Sequence, residues 1–158
     1  MATHSDAAPG YAVGEDPLFL VTLPASVRGS YPFLLRKASQ RITERAHEAL
    51  SPFNLTLRHF GVLNLVDLEE GQIQRAIGAK LGIDRTTIVT LADDLERAGL
   101  LERRRGQDRR SFALYLTPQG VAQLRQLRRL IELVQEEFLE PLSTTERETL
   151  RELLLRLL

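Results

Sequence analysis

A chain of 158 residues with 43% hydrophobic and 27% charged side chains has the size and composition of one globular domain with a substantial core. It contains no cysteine, which excludes disulfides, zinc–thiolate sites, iron–sulfur clusters and thiol chemistry. The 21 basic and 21 acidic side chains cancel overall, yet residues 97–129 hold 9 basic and only 2 acidic ones, so a polyanion meets a locally positive segment on a neutral chain.

The N-terminal stretch has neither the basic nor the apolar part of a secretory leader, and no apolar run approaches the ~18 residues of a membrane span. A cytoplasmic protein without membrane association is expected. Residues 1–32 hold four of the seven prolines and three of the ten glycines, and read as a partly disordered N-terminal arm. From Phe33, apolar residues at Leu34, Ala38, Ile42, Ala46 and Ala49 predict a helix that Ser51-Pro52 ends. A second helix is expected over Thr56–Leu68, with Leu57, Phe60, Leu63 and Leu65 apolar, broken at Glu69-Glu70-Gly71. Two short helices follow, over about 72–81 and 85–98, the second opened by Asp84 as N-cap and closed by Gly99.

The period then changes. Leu100–Arg104 and Ser111–Leu116 fit strands joined by a polar tip, with Phe112, Leu114 and Leu116 alternating with Ala113 and Tyr115 as on a half-buried ribbon. Thr117-Pro118 is a helix start, and Leu124, Leu127, Ile131, Val134 and Phe138 form one apolar stripe before Pro141. Ser143 and Glu146 have the spacing of a capping box. The last helix carries Leu150, Leu153, Leu154, Leu157 and Leu158, more leucine than a solvated helix needs, and calls for a partner.

The run Gln72–Leu91 has the pattern of a helix-turn-helix: small Gly78 where the helices approach, Gly82 at the turn, and Ile77, Leu81, Ile83, Ile88 and Leu91 at buried positions. Such a unit presents the start of its second helix to the DNA major groove. Here that surface offers Arg85, Thr86, Thr87, Val89 and Thr90, whose guanidinium, hydroxyl and methyl groups suit guanine, phosphate and thymine. A two-stranded ribbon tipped with Arg103, Arg104, Arg105, Asp108, Arg109 and Arg110 follows at once, the arrangement of a winged helix.

The run LERAGLLERRRGQDRRSFALYLTPQG, residues 95–120, closely resembles the MarR (multiple antibiotic resistance regulator) family pattern LExxGLVxR, variable tip, DRR, alternating apolar residues and LTxxG. LTLRHFGVLNLV and LSTTERETLRELLLRL resemble that family's second and final helices, so the resemblance covers about residues 33–158. It implies a mainly α fold with a small β-hairpin wing. A winged helix-turn-helix region would span residues 55–117, with dimerisation helices over 33–54 and 118–158. Asp108-Arg109-Arg110 fall on the wing motif, in which the second Arg enters the minor groove and the Asp forms ion pairs that hold the wing. The implied function is that of a dimeric repressor of a pseudo-palindromic operator, released by a small, often aromatic or phenolic effector. Gly78 stands where the family usually has Ala, and Gly71 where Thr or Ser often caps the positioning helix; both imply a looser positioning helix.

Catalytic motifs find no counterpart: there is no phosphate-binding Gly-rich loop, no HExxH and no nucleophile elbow. The reading is a non-enzyme without cofactor or metal, whose partners are double-stranded DNA, a second copy of itself and a small-molecule effector. His4, His47 and His59 are read as surface or packed residues, and Asp93-Asp94 as solvated or paired with Arg97. Arg125, Arg128 and Arg129 are expected in solvent or in ion pairs as readily as on phosphates. The competing readings are a winged-helix module that binds protein partners and a metal-gated regulator.

Overall fold

The computed structural model describes residues 22–105 and 112–158. The described residues divide between Ala38 and Ser39 into two units. In the first, a short helix α1 (Ala25–Arg28) precedes the beginning of α2 (Tyr31–Leu50), where the Arg36 guanidinium stacks 5.5 Å from the Phe33 ring centre.

In the second unit α2 ends at Leu50, and Ser51–Phe53 make one 3-10 turn before α3 (Leu57–Leu68), α4 (Gln74–Lys80) and α5 (Arg85–Arg97). The antiparallel strands β1 (Leu101–Arg105) and β2 (Phe112–Leu116) follow, then α6 (Pro118–Phe138) and α7 (Thr144–Leu157). The ribbon is in register from Leu101 opposite Leu116 to Arg105 opposite Phe112. Among the described residues no helix is long and apolar enough to cross a membrane.

The core is built from the C-terminal end of α2 and one face each of α3, α4, α5 and α6, packed around the ribbon's inner end. Leu50, Val62, Leu63, Val66, Ile77, Leu95, Leu114 and Leu127 are fully enclosed. The face that α3 buries is His59, Val62, Leu63 and Val66, while Phe60 and Leu65 are only half-buried, a rotation from the expected stripe. The expected stripe of α6 is buried at Leu124, Leu127, Ile131 and Val134, with Phe138 half-buried at its end.

Local chemistry explains the boundaries. Thr117 caps α6: its hydroxyl accepts from the Gly120 N–H at 2.9 Å and donates to the Gly99 carbonyl at 2.6 Å, with Pro118 at the first helical position. Gly120 has no room for a side chain, since a Cβ there would stand 2.0 Å from the Leu100 carbonyl oxygen. Gly82 takes φ +63° at the turn between α4 and α5, a conformation that costs other residues. Gly78 lies where α4 meets that turn: a Cβ would come within 3.1 Å of the Ile83 carbonyl and 3.2 Å of Ile88 Cγ2. This corrects the expectation of a looser seat, because the missing side chain lets α4 approach closely. The first turn of α4 does lack a side-chain cap, its N-cap being Ile73.

That helix begins two residues later than its composition suggests. Gly71 donates its N–H to Leu114 O at 3.0 Å, and Leu114 N–H donates to Gln72 O at 3.0 Å, so residues 71–73 lie along the free edge of β2. With that edge covered, Ala113 is buried instead of facing solvent. Phe112, at the outer end of the ribbon, is 48% exposed instead of facing the core. Helix α7 opens with the Ser143–Glu146 capping box, and Leu153, Leu154, Leu155 and Leu157 are all exposed.

Candidate nucleic-acid interface

Asp84 fixes the start of α5. Its carboxylate accepts from the Thr86 and Thr87 N–H groups at 2.9 and 3.0 Å and from the Thr87 hydroxyl at 2.5 Å. These bonds, that of the Thr87 hydroxyl foremost, hold its carboxyl below the usual carboxylate range. The charge therefore serves the helix end that it caps.

Beyond the cap, periodicity sorts the side chains. Ile88, Leu91, Ala92 and Leu95 are buried. Arg85, Thr86, Val89 and Thr90 are exposed, and Thr87 is half-buried against its cap. The Thr90 hydroxyl donates to the Thr86 carbonyl at 3.2 Å. Arg85, Val89, Asp93 and Glu96 form the flank of α5 turned toward the wing, where an open groove of about 820 Å³ is bounded by that flank, Gln74 and Arg75 of α4, Arg103 and Phe112. The carboxylates, Gln74, Arg75 and Phe112 are groove residues that the sequence reading did not select. The three-residue spacing of Asp93 and Glu96 on the predicted second helix is the signal that points to them.

The wing arginines differ sharply from one another. Arg103 is turned inward, its side chain 16% exposed, with Nη1 at 2.6 Å from Asp93 and 2.7 Å from Glu96. Its Nη2 donates to the Val89 carbonyl at 3.3 Å, and its backbone N–H donates to Glu96 at 3.2 Å. Asp93 is therefore paired with Arg103, whereas Asp94 pairs with Arg97 at 2.8 Å as expected. Arg104 lies 4.2 Å over the Tyr115 ring and donates to Glu102 from Nε at 2.9 Å. Arg105 is exposed at the outer end of β1. Asp108, Arg109 and Arg110 lie outside the described residues.

Two further side chains brace this surface from behind. His59 is buried beneath α5, its Nδ1 accepting from the Thr56 N–H at 3.1 Å and its Nε2 lying 3.6 Å from Asp94. Burial pushes its pKa down, and the opposing pull of Asp94 is smaller. Arg128 of α6 donates to Asn64 at 2.9 Å and pairs with Asp67 at 2.8 Å, so it joins α6 to α3 within the chain. Among the described residues no three His, Asp or Glu side chains group to hold a metal ion.

A two-helix unit with an exposed second helix, followed directly by an arginine-bearing ribbon, defines a winged helix-turn-helix protein. The family model for the MarR family matches residues 53–111. The chain is 31% identical over 134 residues to the putative transcriptional regulatory protein for the hcr operon of Thauera aromatica, covering 84% of this chain and 81% of that protein. The fold matches the transcriptional repressor CouR bound to a 23-mer DNA duplex with a TM-score of 0.79 and 32% identity, over 84% of this chain and 95% of the other. It also matches CouR from Rhodococcus jostii RHA1 bound to p-coumaroyl-CoA, with a TM-score of 0.73 and 26% identity over 83% and 93% of the two chains. The chain belongs to the MarR family of DNA-binding transcriptional regulators.

Proposed function

We propose that this protein is a homodimeric repressor that binds a pseudo-palindromic operator and leaves it when a small organic effector binds. The observation that carries the reading is the exposed outer surface of α5, with Arg85, Thr86, Val89 and Thr90 beside the wing, in a chain that spans nearly the whole of a repressor solved on DNA. In this reading residues 55–117 contact DNA. Arg85 pairs with a base edge in the major groove, Thr86 and Thr90 meet bases or phosphates, Val89 meets a thymine methyl group, and Thr87 supports the helix start. Arg104, Arg105, Arg109 and Arg110 contact the minor groove or backbone, and Asp108 holds the wing tip. Residues 33–54 and 118–158 form the dimer. An effector of aryl or aryl-thioester chemistry is suggested by the p-coumaroyl-CoA that CouR binds. Such a repressor acts in the cytoplasm, where its operator is.

Footprinting on the DNA upstream of its own gene should protect two half-sites about one helical turn apart. Arg85→Ala should then bind that site roughly tenfold or more weakly at fixed salt, as expected for one lost base contact. An Arg85→Ala protein that binds as wild type would remove the assigned reading surface.

A further inference from the structure

We propose that Arg103 is a positioning residue for DNA binding and not a DNA ligand: it latches the base of the wing to α5 and offsets the charge of the Asp93 and Glu96 carboxylates beside the surface that meets DNA. This rests on the reading of α5 and the wing as the DNA-binding surface.

The contacts all point one way. The guanidinium faces Asp93, Glu96 and the Val89 carbonyl, and its Nε is enclosed without a hydrogen-bond partner among the described residues. With its side chain 16% exposed, against 60% for Arg104, it has little surface left for a phosphate. The acids in turn need it. Asp93 and Glu96 line the same groove as Arg75 and Arg85, and two unpaired carboxylates on a helix meant for a polyanion repel the ligand. One guanidinium against two carboxylates leaves the cluster at a single negative charge instead of two.

The latch also has a direction. Arg103 stands opposite Leu114, a fully enclosed residue of β2, so a bond from Arg103 to α5 fixes the strand from which the outer wing projects. The Glu96 carboxylate grips both the Arg103 side chain and its backbone N–H, at 2.7 and 3.2 Å, which ties the strand as well as the charge.

The test is anisotropy titration of full-length protein against operator and random duplexes over a salt series, with folding checked by circular dichroism. Arg103→Met should weaken operator binding about tenfold, and the triple variant R103M/D93N/E96Q should return to within about threefold of wild type. The salt slope of Arg103→Met should not fall, since no phosphate contact is lost. A triple variant as weak as Arg103→Met, or a slope reduced by about one, would mark Arg103 as a phosphate ligand and overturn the proposal. Should Arg103→Met fail to fold, D93N/E96Q in the wild-type background carries the test. Unlatching the wing should lower its operator-to-random ratio about threefold, and an unchanged ratio overturns the latch. Wild-type protein without affinity for any duplex would overturn the functional reading itself, an outcome distinct from wild-type binding with an unrescued Arg103→Met.

Discussion

His59 is held neutral by its surroundings. Its Nδ1 accepts from the Thr56 N–H at the start of α3, so a proton there would turn an acceptor into a donor and break the cap. Burial lowers its pKa, and Asp94 at 3.6 Å does not offset that. The folded state therefore refuses a proton that the unfolded chain takes up below the ordinary histidine value. Its contribution is intact above that value and is lost as pH falls through the window down to the lowered one. Urea unfolding at about pH 7.5 and about pH 5.5 should show a larger stability loss for wild type than for His59→Gln, and equal losses would contradict the assignment. Gly120 makes a steric prediction: Ala there drives a methyl group into the Leu100 carbonyl, and thermal unfolding should register a loss of roughly 3 kcal/mol. The charged residues of the interface were only partly legible from sequence. The types on α5 are plain from the pattern, but whether an arginine reaches out or folds back depends on which acids the tertiary structure sets beside it. Arg103 meets Asp93 and Glu96 across two elements, a juxtaposition absent from either segment alone.

At the scale of elements, the readable features were those with a local cause. Asp84, Thr117-Pro118, Ser143–Glu146 and Gly82 each satisfy or bend the backbone within a few residues, and each stands where its chemistry predicts. The misread features have distant causes. Ala113 is buried because residues 71–73 cover the edge of β2, and α3 is rotated because the polar His59 is part of its buried face. The Thr117 side chain serves two places, binding the Gly99 carbonyl in the turn between α5 and β1 and opening α6. Thr117→Ala should cost about 1–2 kcal/mol in chemical denaturation, since it removes a cap and leaves the Gly120 N–H and Gly99 carbonyl unpaired. An unchanged midpoint would show that another group takes over the cap.

The whole molecule leaves apolar surface on α7, where Leu153 is 49% and Leu157 74% exposed. A run of exposed leucines on one helix is the surface a second subunit would cover. The double substitution L153E/L157E should convert the dimer to a folded monomer in sedimentation velocity at micromolar concentration, because neither side chain is enclosed in the single chain. Persistence of the dimer would place the subunit contact elsewhere. Dimerisation in turn sets the spacing of two α5 helices and hence of two half-sites, which no single chain determines. The measurement that bears most directly on the account is the anisotropy of wild-type protein on labelled DNA from upstream of its own gene, with random duplex as competitor and a salt series. Binding should survive an excess of random duplex and weaken steeply with salt, as a specific site held by many phosphate contacts requires. Absence of binding to either duplex at low salt would contradict it and leave the winged helix as a surface for protein partners.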